Sequence, residues 1–473
     1  MVNPRRRTAS NRGMEDNTMA ILDVLGANDS PHLNNDRIAF LEAIRFASIF
    51  PEDGTPPTNK MWEAIFQILK EGKSLELIMS SYQLLCELEK RFPRVYLCNI
   101  VKSNSSPINP TELVVIEEAW SPFDLSLDAA SSAEVANRNS NRPLDSSGFH
   151  ILLEGLAKVA GDAELQLKLF RDMLLFQFLV IVIERDFLPR NSAFLETTEW
   201  TLLRESLLNV LLGSRRINYK AFIKDCLSIL SRSCATYAVH SHETRNAESN
   251  SVNMHENGSV ALALALPEVH CCTRRAAQNL LVLMMELDSS RKKADMQGLT
   301  TRADGVRTPA LAIVLDEFTY NKDMLCPFFQ VFDEPKLKLD IILKYFGKYI
   351  AKPSVRTRRS NGISTTDDIT ITGVLKSISN SISARNITKR MSAEVVQLLI
   401  AHAFQACILL PHQSLLDATA ESNEDVRSNP LLEICNNIIS SFSSLREVDK
   451  NMEILPLGQE ALFTAATILS AMS

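Results

Sequence analysis

After Arg37 and as far as Phe50, the polar positions shrink to Glu42, Arg45 and Ser48, with apolar residues around most of the remaining circumference. This pattern predicts a helix buried on more than one side. Pro51, Gly54, Pro56 and Pro57 then forbid continuation, because proline lacks an amide donor and clashes with the preceding turn. Thr55 ahead of Pro56 predicts the next helix start, its hydroxyl capping free amides. Over residues 61–71, Glu63, Gln67, Lys70 and Glu71 share one face, and Met61, Trp62, Ile65, Phe66 and Leu69 share the other. Gly72 is placed to close that helix in a left-handed cap. Ser74 opens a further helix with the stripe Leu75, Ile78, Tyr82, Leu85 and Leu88, until Phe92 and Pro93 stop it. Connections this short pack neighbouring helices antiparallel. Residues 36–123 therefore read as stacked helical hairpins, and such stacks generally bind other macromolecules.

The same grammar runs along most of the chain. A leader (residues 1–16) precedes helical hairpins over 17–96 and a less regular segment through Trp120. Residues 121–147 have the small, polar composition of a flexible insertion. Helical pattern returns over 149–185, 198–212 and 218–237. Its most apolar run, Met173 to Ile183, is far shorter than the roughly 20 residues that span a bilayer, and reads as a central core helix. Residues 240–258 read as a linker between an N-terminal half (17–239) and a C-terminal half (259–473). Pro267 divides 261–288 into a short and a longer helix, and 291–307 reads as loop. Helices follow over 308–320 and 335–350, then a basic linker (352–368), then helices over 395–410, 431–442 and 459–472. The fold class is all-α, an irregular armadillo-like or HEAT-like solenoid of stacked helical hairpins.

Composition narrows the picture. There are 15 glycines in 473 residues, well under the usual share of about 7%. That scarcity disfavours Rossmann-type and propeller folds, which use glycine at many turns and phosphate loops. With 50 basic and 56 acidic residues, the net charge of −6 gives no overall pull toward polyanions, so nucleic-acid contact requires a local patch. Nine cysteines, with Cys86, Cys226 and Cys407 on apolar helical faces, fit reduced core thiols in an intracellular compartment.

No phosphate loop, dinucleotide fingerprint, zincin helix or nucleophile elbow occurs. His270, Cys271 and Cys272 are consecutive on a helix, about 100° apart, and do not converge on a metal; His240 and His242 sit beside a linker. Glu117 with Glu118 and Asp316 with Glu317 are likewise adjacent, fitting solvated or ion-paired carboxylates better than an acid–base pair. No cofactor is implied. Trp62, Trp120 and Trp200 read as packing anchors. Basic residues offer the better candidates. Lys344 and Lys348 lie one turn apart, and Lys352, Arg356, Arg358 and Arg359 continue the charge into the linker, a patch able to neutralise phosphates or meet an acidic partner. Arg5, Arg6 and Arg7 form a candidate nuclear-targeting tail.

Three stretches carry a resemblance: DRIAFLEAIRFASIFPEDGTPPTNKMWEAIFQILKEGKSLELI, the EEAWSPF segment, and DFLPRNSAFLETTEWTLLRESLLNVLLGSRRIN. Together they resemble the plant negative regulators of systemic acquired resistance, closely over residues 19–123 and 186–230 and more loosely beyond. The resemblance implies a nuclear, armadillo-like protein without enzymatic activity, associated with repression of pathogenesis-related genes and with homologous recombination. It also implies an accessory, non-ATPase subunit of the five/six-type chromosome-maintenance complex, bound to a helical accessory partner, with transcription factors as further partners and no membrane. The competing expectation is a direct DNA-binding repressor that uses the patch from Lys344 to Arg359.

Overall fold

The computed structural model describes residue 18 and residues 31–99, 111–125, 143–158, 166–232, 256–305, 307–350, 369–410 and 430–472. Seventeen α-helices and one two-stranded hairpin lie among them, so the all-α expectation holds. The chain divides into two compact units between Ile313 and Val314.

The first unit opens with α1 (Pro31–Ser48), α2 (Asn59–Glu71) and α3 (Leu75–Arg91). Here α1 buries a single face, Arg37, Phe40, Leu41, Ile44 and Ser48, while Phe46 is 71% and Phe50 69% exposed. Burial on more than one side is therefore corrected: α1 packs on α3 alone strongly enough to hide one stripe. The cap of α2 is Thr58, whose hydroxyl accepts from the Met61 amide at 3.4 Å, rather than Thr55. Gly72 ends α2 with φ −55° and ψ 136°, not left-handed. Glycine is needed there for closeness, since a Cβ would stand 2.8 Å from the Ile68 carbonyl oxygen. Ser74 caps α3 as expected, accepting from Leu77 N at 3.3 Å.

The less regular segment proves to be a hairpin of β1 (Val95–Asn99) and β2 (Thr111–Val115), antiparallel, with Val95 opposite Val115 and Asn99 opposite Thr111. Beyond it, Asp124 N donates to Leu144 O and Leu144 N to Pro122 O, tying together the two ends of the expected insertion; residues 126–142 lie outside the described residues.

Next come α4 (Ser146–Lys158), α5 (Gln166–Thr197), α6 (Trp200–Arg204), α7 (Leu207–Gly213), α8 (Tyr219–Ser231) and α9 (Glu256–Met296). The apolar run of α5 makes it the unit's centre: Phe170, Phe176, Phe178 and Phe187 are wholly buried, and α2, α3, α4, α6, α7, α9 and the hairpin all pack on it. Apolar burial on this scale stabilises by about 25 cal/mol per Å². It outweighs the proline cost of about 3 kcal/mol within a helix, at Pro189 in α5 and at Pro267 in α9. The expected break at Pro267 is thus corrected. Likewise α9 continues to Met296 through a stretch expected as loop, and its first turn takes in residues 256–258 of the expected linker; residues 240–255 lie outside the described residues.

Helix α10 (Ala310–Tyr320) leads into the second unit, followed by α11 (Leu325–Val331), α12 (Pro335–Gly347), α13 (Ile371–Ser379), α14 (Ser381–Met391), α15 (Ala393–Leu409), α16 (Pro430–Val448) and α17 (Pro456–Met472). Its core pairs α12 with α15, α13 with α16 and α16 with α17. The segments α11, α13 and α14 carry no helix expectation from sequence. No single described helix is long and apolar enough to cross a membrane.

Candidate functional site

Glu89 closes the buried stripe of α3, Arg94 immediately precedes β1, and α5 supplies Arg185 and Asp186; these four charges line one small cleft with Trp120, Ser121 and the start of α7. Asp186 and Arg190 are 3% and 4% exposed, with Arg190 Nε 3.3 Å from Asp186 Oδ1. The second carboxylate oxygen accepts from Leu207 N at 2.7 Å, and Arg190 Nη1 donates to Leu202 O at 3.2 Å. Arg185 Nη1 donates to the Glu89 carbonyl at 2.7 Å. Burial pushes the Glu89 carboxyl up to about 7, against the opposing pull of Arg185. Burial also raises Asp186, opposed by Arg190 and the Leu207 amide. The enclosed space is about 10 Å³, room for about one water molecule and not for a metabolite. Chemically, the cluster fixes α3, α5 and α7 to one another.

Other cations are similarly occupied with helix ends. Arg91 donates to the carbonyls of Ile49, Pro51 and Glu52 beyond α1, at 2.6, 2.5 and 2.7 Å. Arg232 reaches Leu156 O and Ala157 O at the end of α4. Each places a cation from one helix on the negative end of another.

Lys348 of the sequence-predicted patch is also occupied within the fold, against the body of α10. Its ammonium donates to Leu315 O at 3.1 Å, Asp316 Oδ1 at 3.3 Å and Thr319 Oγ1 at 3.2 Å, fastening the end of α12 to α10. Lys344, one turn earlier, is exposed. Lys352, Arg356, Arg358 and Arg359 lie outside the described residues, as do Arg5, Arg6, Arg7, His240 and His242. Among the described residues no three of His, Cys, Asp and Glu group as a metal site, and Cys271 and Cys272 are free thiols. Glu117 and Glu118 are exposed, and Asp316 is taken by Lys348. The tryptophans are packing anchors as expected: Trp62 stacks on Trp120 at 5.5 Å, and Trp200 Nε1 donates to Asp304 at 3.2 Å.

Sequence reasoning missed the hairpin edge. Ile116 N donates to Arg94 O at 3.0 Å, which sets the ladder phase: Tyr96/Val114 and Cys98/Glu112 exchange hydrogen bonds, whereas Val95, Leu97, Leu113 and Val115 turn theirs outward. Among the described residues the sheet has only these two strands. Two short runs, VYLCN and TELVV, bracketing a Ser, Asn and Pro-rich segment were the available signal.

No solved structure matches the chain. Residues 94–334 match the SNI1 middle domain and residues 350–473 the SNI1 C-terminal domain. A curated relative from Arabidopsis thaliana, "Negative regulator of systemic acquired resistance SNI1", is 42% identical over 461 residues, covering 97% of this chain and 95% of its own length. Two domain matches in their expected order, with identity running through both units, establish that this chain belongs to the SNI1 family.

Proposed function

We propose that this chain is a negative regulator of systemic acquired resistance that acts without covalent chemistry, as a nuclear scaffold. In this reading it is an accessory subunit of the five/six-type chromosome-maintenance complex, held by a helical accessory partner, and it links DNA repair by homologous recombination to repression of pathogenesis-related genes. One observation carries the reading: identity to the Arabidopsis regulator extends over nearly the full length of both chains. Regulation needs only differential binding to partner states. The internal use of Lys348 favours partner-dependent over direct contact with DNA, because it takes one cation from the basic patch. Expression of this chain in Arabidopsis lacking the relative tests the reading. Pathogenesis-related transcripts should return to their repressed level; derepressed transcripts despite normal accumulation of the protein would contradict it.

A further inference from the structure

We propose that the free edge of β2 receives an extended, basic segment of a partner protein as the third strand of the hairpin. The proposal rests on the scaffold reading and gives it a surface. Leu113 and Val115 direct their amides and carbonyls away from β1, and among the described residues these groups have no backbone partner. Unpaired strand groups of this kind are a template for another chain. The two edges are unlike. Both strands pack on α5 and both carry exposed residues, but β1 (Val95–Asn99) has no carboxylate, whereas Glu112, Glu117 and Glu118 along and just past β2 are exposed.

Charge selects the occupant. Natural edges are commonly guarded by lysine, proline or a bulge, but β2 has an unbroken register and neither lysine nor proline. Glu112 of β2 and Glu117 and Glu118 in the turn after it are exposed and have no ion pair among the described residues. They repel a second copy of the same edge and attract lysine or arginine. Tyr96 and Ile116, 38% and 45% exposed, flank Val114 on the same face. Glu112 shares that face of β2, so an entering strand would meet a carboxylate together with the apolar side chains of Val114 and Ile116.

The probe is a fluorescent nonapeptide of alternating valine and lysine, titrated against the full chain. It should bind saturably and slow amide hydrogen exchange at Leu113 and Val115. The combined Glu112→Lys, Glu117→Lys and Glu118→Lys variant should bind at least about tenfold more weakly, and a probe with a central proline should fail. Leu113→Pro removes an outward donor without taking a hydrogen bond from the hairpin; the charge variant keeps the test decisive if that protein does not fold. Absence of binding, equal affinity in the charge variant, or protection confined to other segments would overturn the proposal. So would conversion of a dimer to a monomer by Leu113→Pro, which would make a second copy the occupant. If wild-type protein recovers no chromosome-complex subunits, the scaffold reading fails. If the charge variant recovers them undiminished, only the edge proposal fails.

Discussion

Up to Ile313 the chain buries Arg37, Glu89, Asp186 and Arg190, whereas the buried polar residues described from Val314 onward are Thr372, Gln397, His402, Ser441 and Ser444. Both units bury neutral polar groups, Gln67, Gln177 and Thr273 among them in the first, but among the described residues only the first buries charged side chains as well. Ser441 Oγ donates to Leu375 O at 3.1 Å and Ser444 Oγ to Ser379 O at 2.7 Å, seating α16 on α13. Gln397 bridges the same way, donating to Glu453 O and accepting from Leu455 N. A neutral contact can be lost singly at modest cost, but a buried charge cannot lose its partner cheaply.

The sharpest way to break this contrast is Asp186→Ala, which strands the Arg190 cation and the Leu207 amide. It should cost about 3–5 kcal/mol in urea unfolding, with hydrogen exchange accelerating first in α5 and α7. Asp186→Leu combined with Arg190→Met should recover most of that loss. A loss below about 1 kcal/mol for Asp186→Ala would show that the pair is not structurally important.

Acidification should separate the units next. Burial, with Lys338 nearby, depresses His402 to about 4, so the folded state holds it neutral while the unfolded chain takes up a proton near 6.5. Its stabilisation is complete above 6.5 and is lost as pH falls toward 4, by up to about 3 kcal/mol. In the first unit His270 also lies at about 4, but Glu89 at about 7 works oppositely, stabilising below 4.5 and losing that contribution as pH rises through 7. Between 4.5 and 6.5 the two contributions offset. Unit-resolved hydrogen exchange across this range should show the second unit weakening more, and His402→Leu should flatten its slope. Equal weakening in both would contradict the contrast.

Ser441→Ala should cost only about 1 kcal/mol by thermal unfolding, because Leu375 O belongs to a helix that supplies its own donor. Smallest of all, Arg232→Met removes a cation from the carboxyl end of α4 and Lys348→Met removes a partly exposed ion pair with Asp316, and each should cost about 0.3–1 kcal/mol. That loss should shrink in high salt.

Legibility in sequence followed the range of the interaction. Ser74, the α5 run and the α12 periodicity are local patterns, and the structure keeps them. Pro267 misled because its penalty is local, whereas the apolar packing of α9 on α5 that overrides it joins residues far apart in sequence. The helices α13 and α14 were hidden by serine, threonine and asparagine, which favour caps and turns. Two of those residues do serve as caps: Thr370 accepts from Gly373 N, and Asn380 from Ile382 and Ser383. The Asp186–Arg190 spacing was visible, but its burial was not, since that depends on α7 folding back across it. The role of Lys348 was invisible for the same reason: its acceptors lie in another helix.

The central claim is that this chain works by holding other proteins. The most direct measurement is size-exclusion chromatography, at low salt, of the full chain mixed with the helical accessory partner and the chromosome-maintenance subunits. The account predicts co-elution as a stoichiometric complex. Separate elution of well-folded components would contradict it.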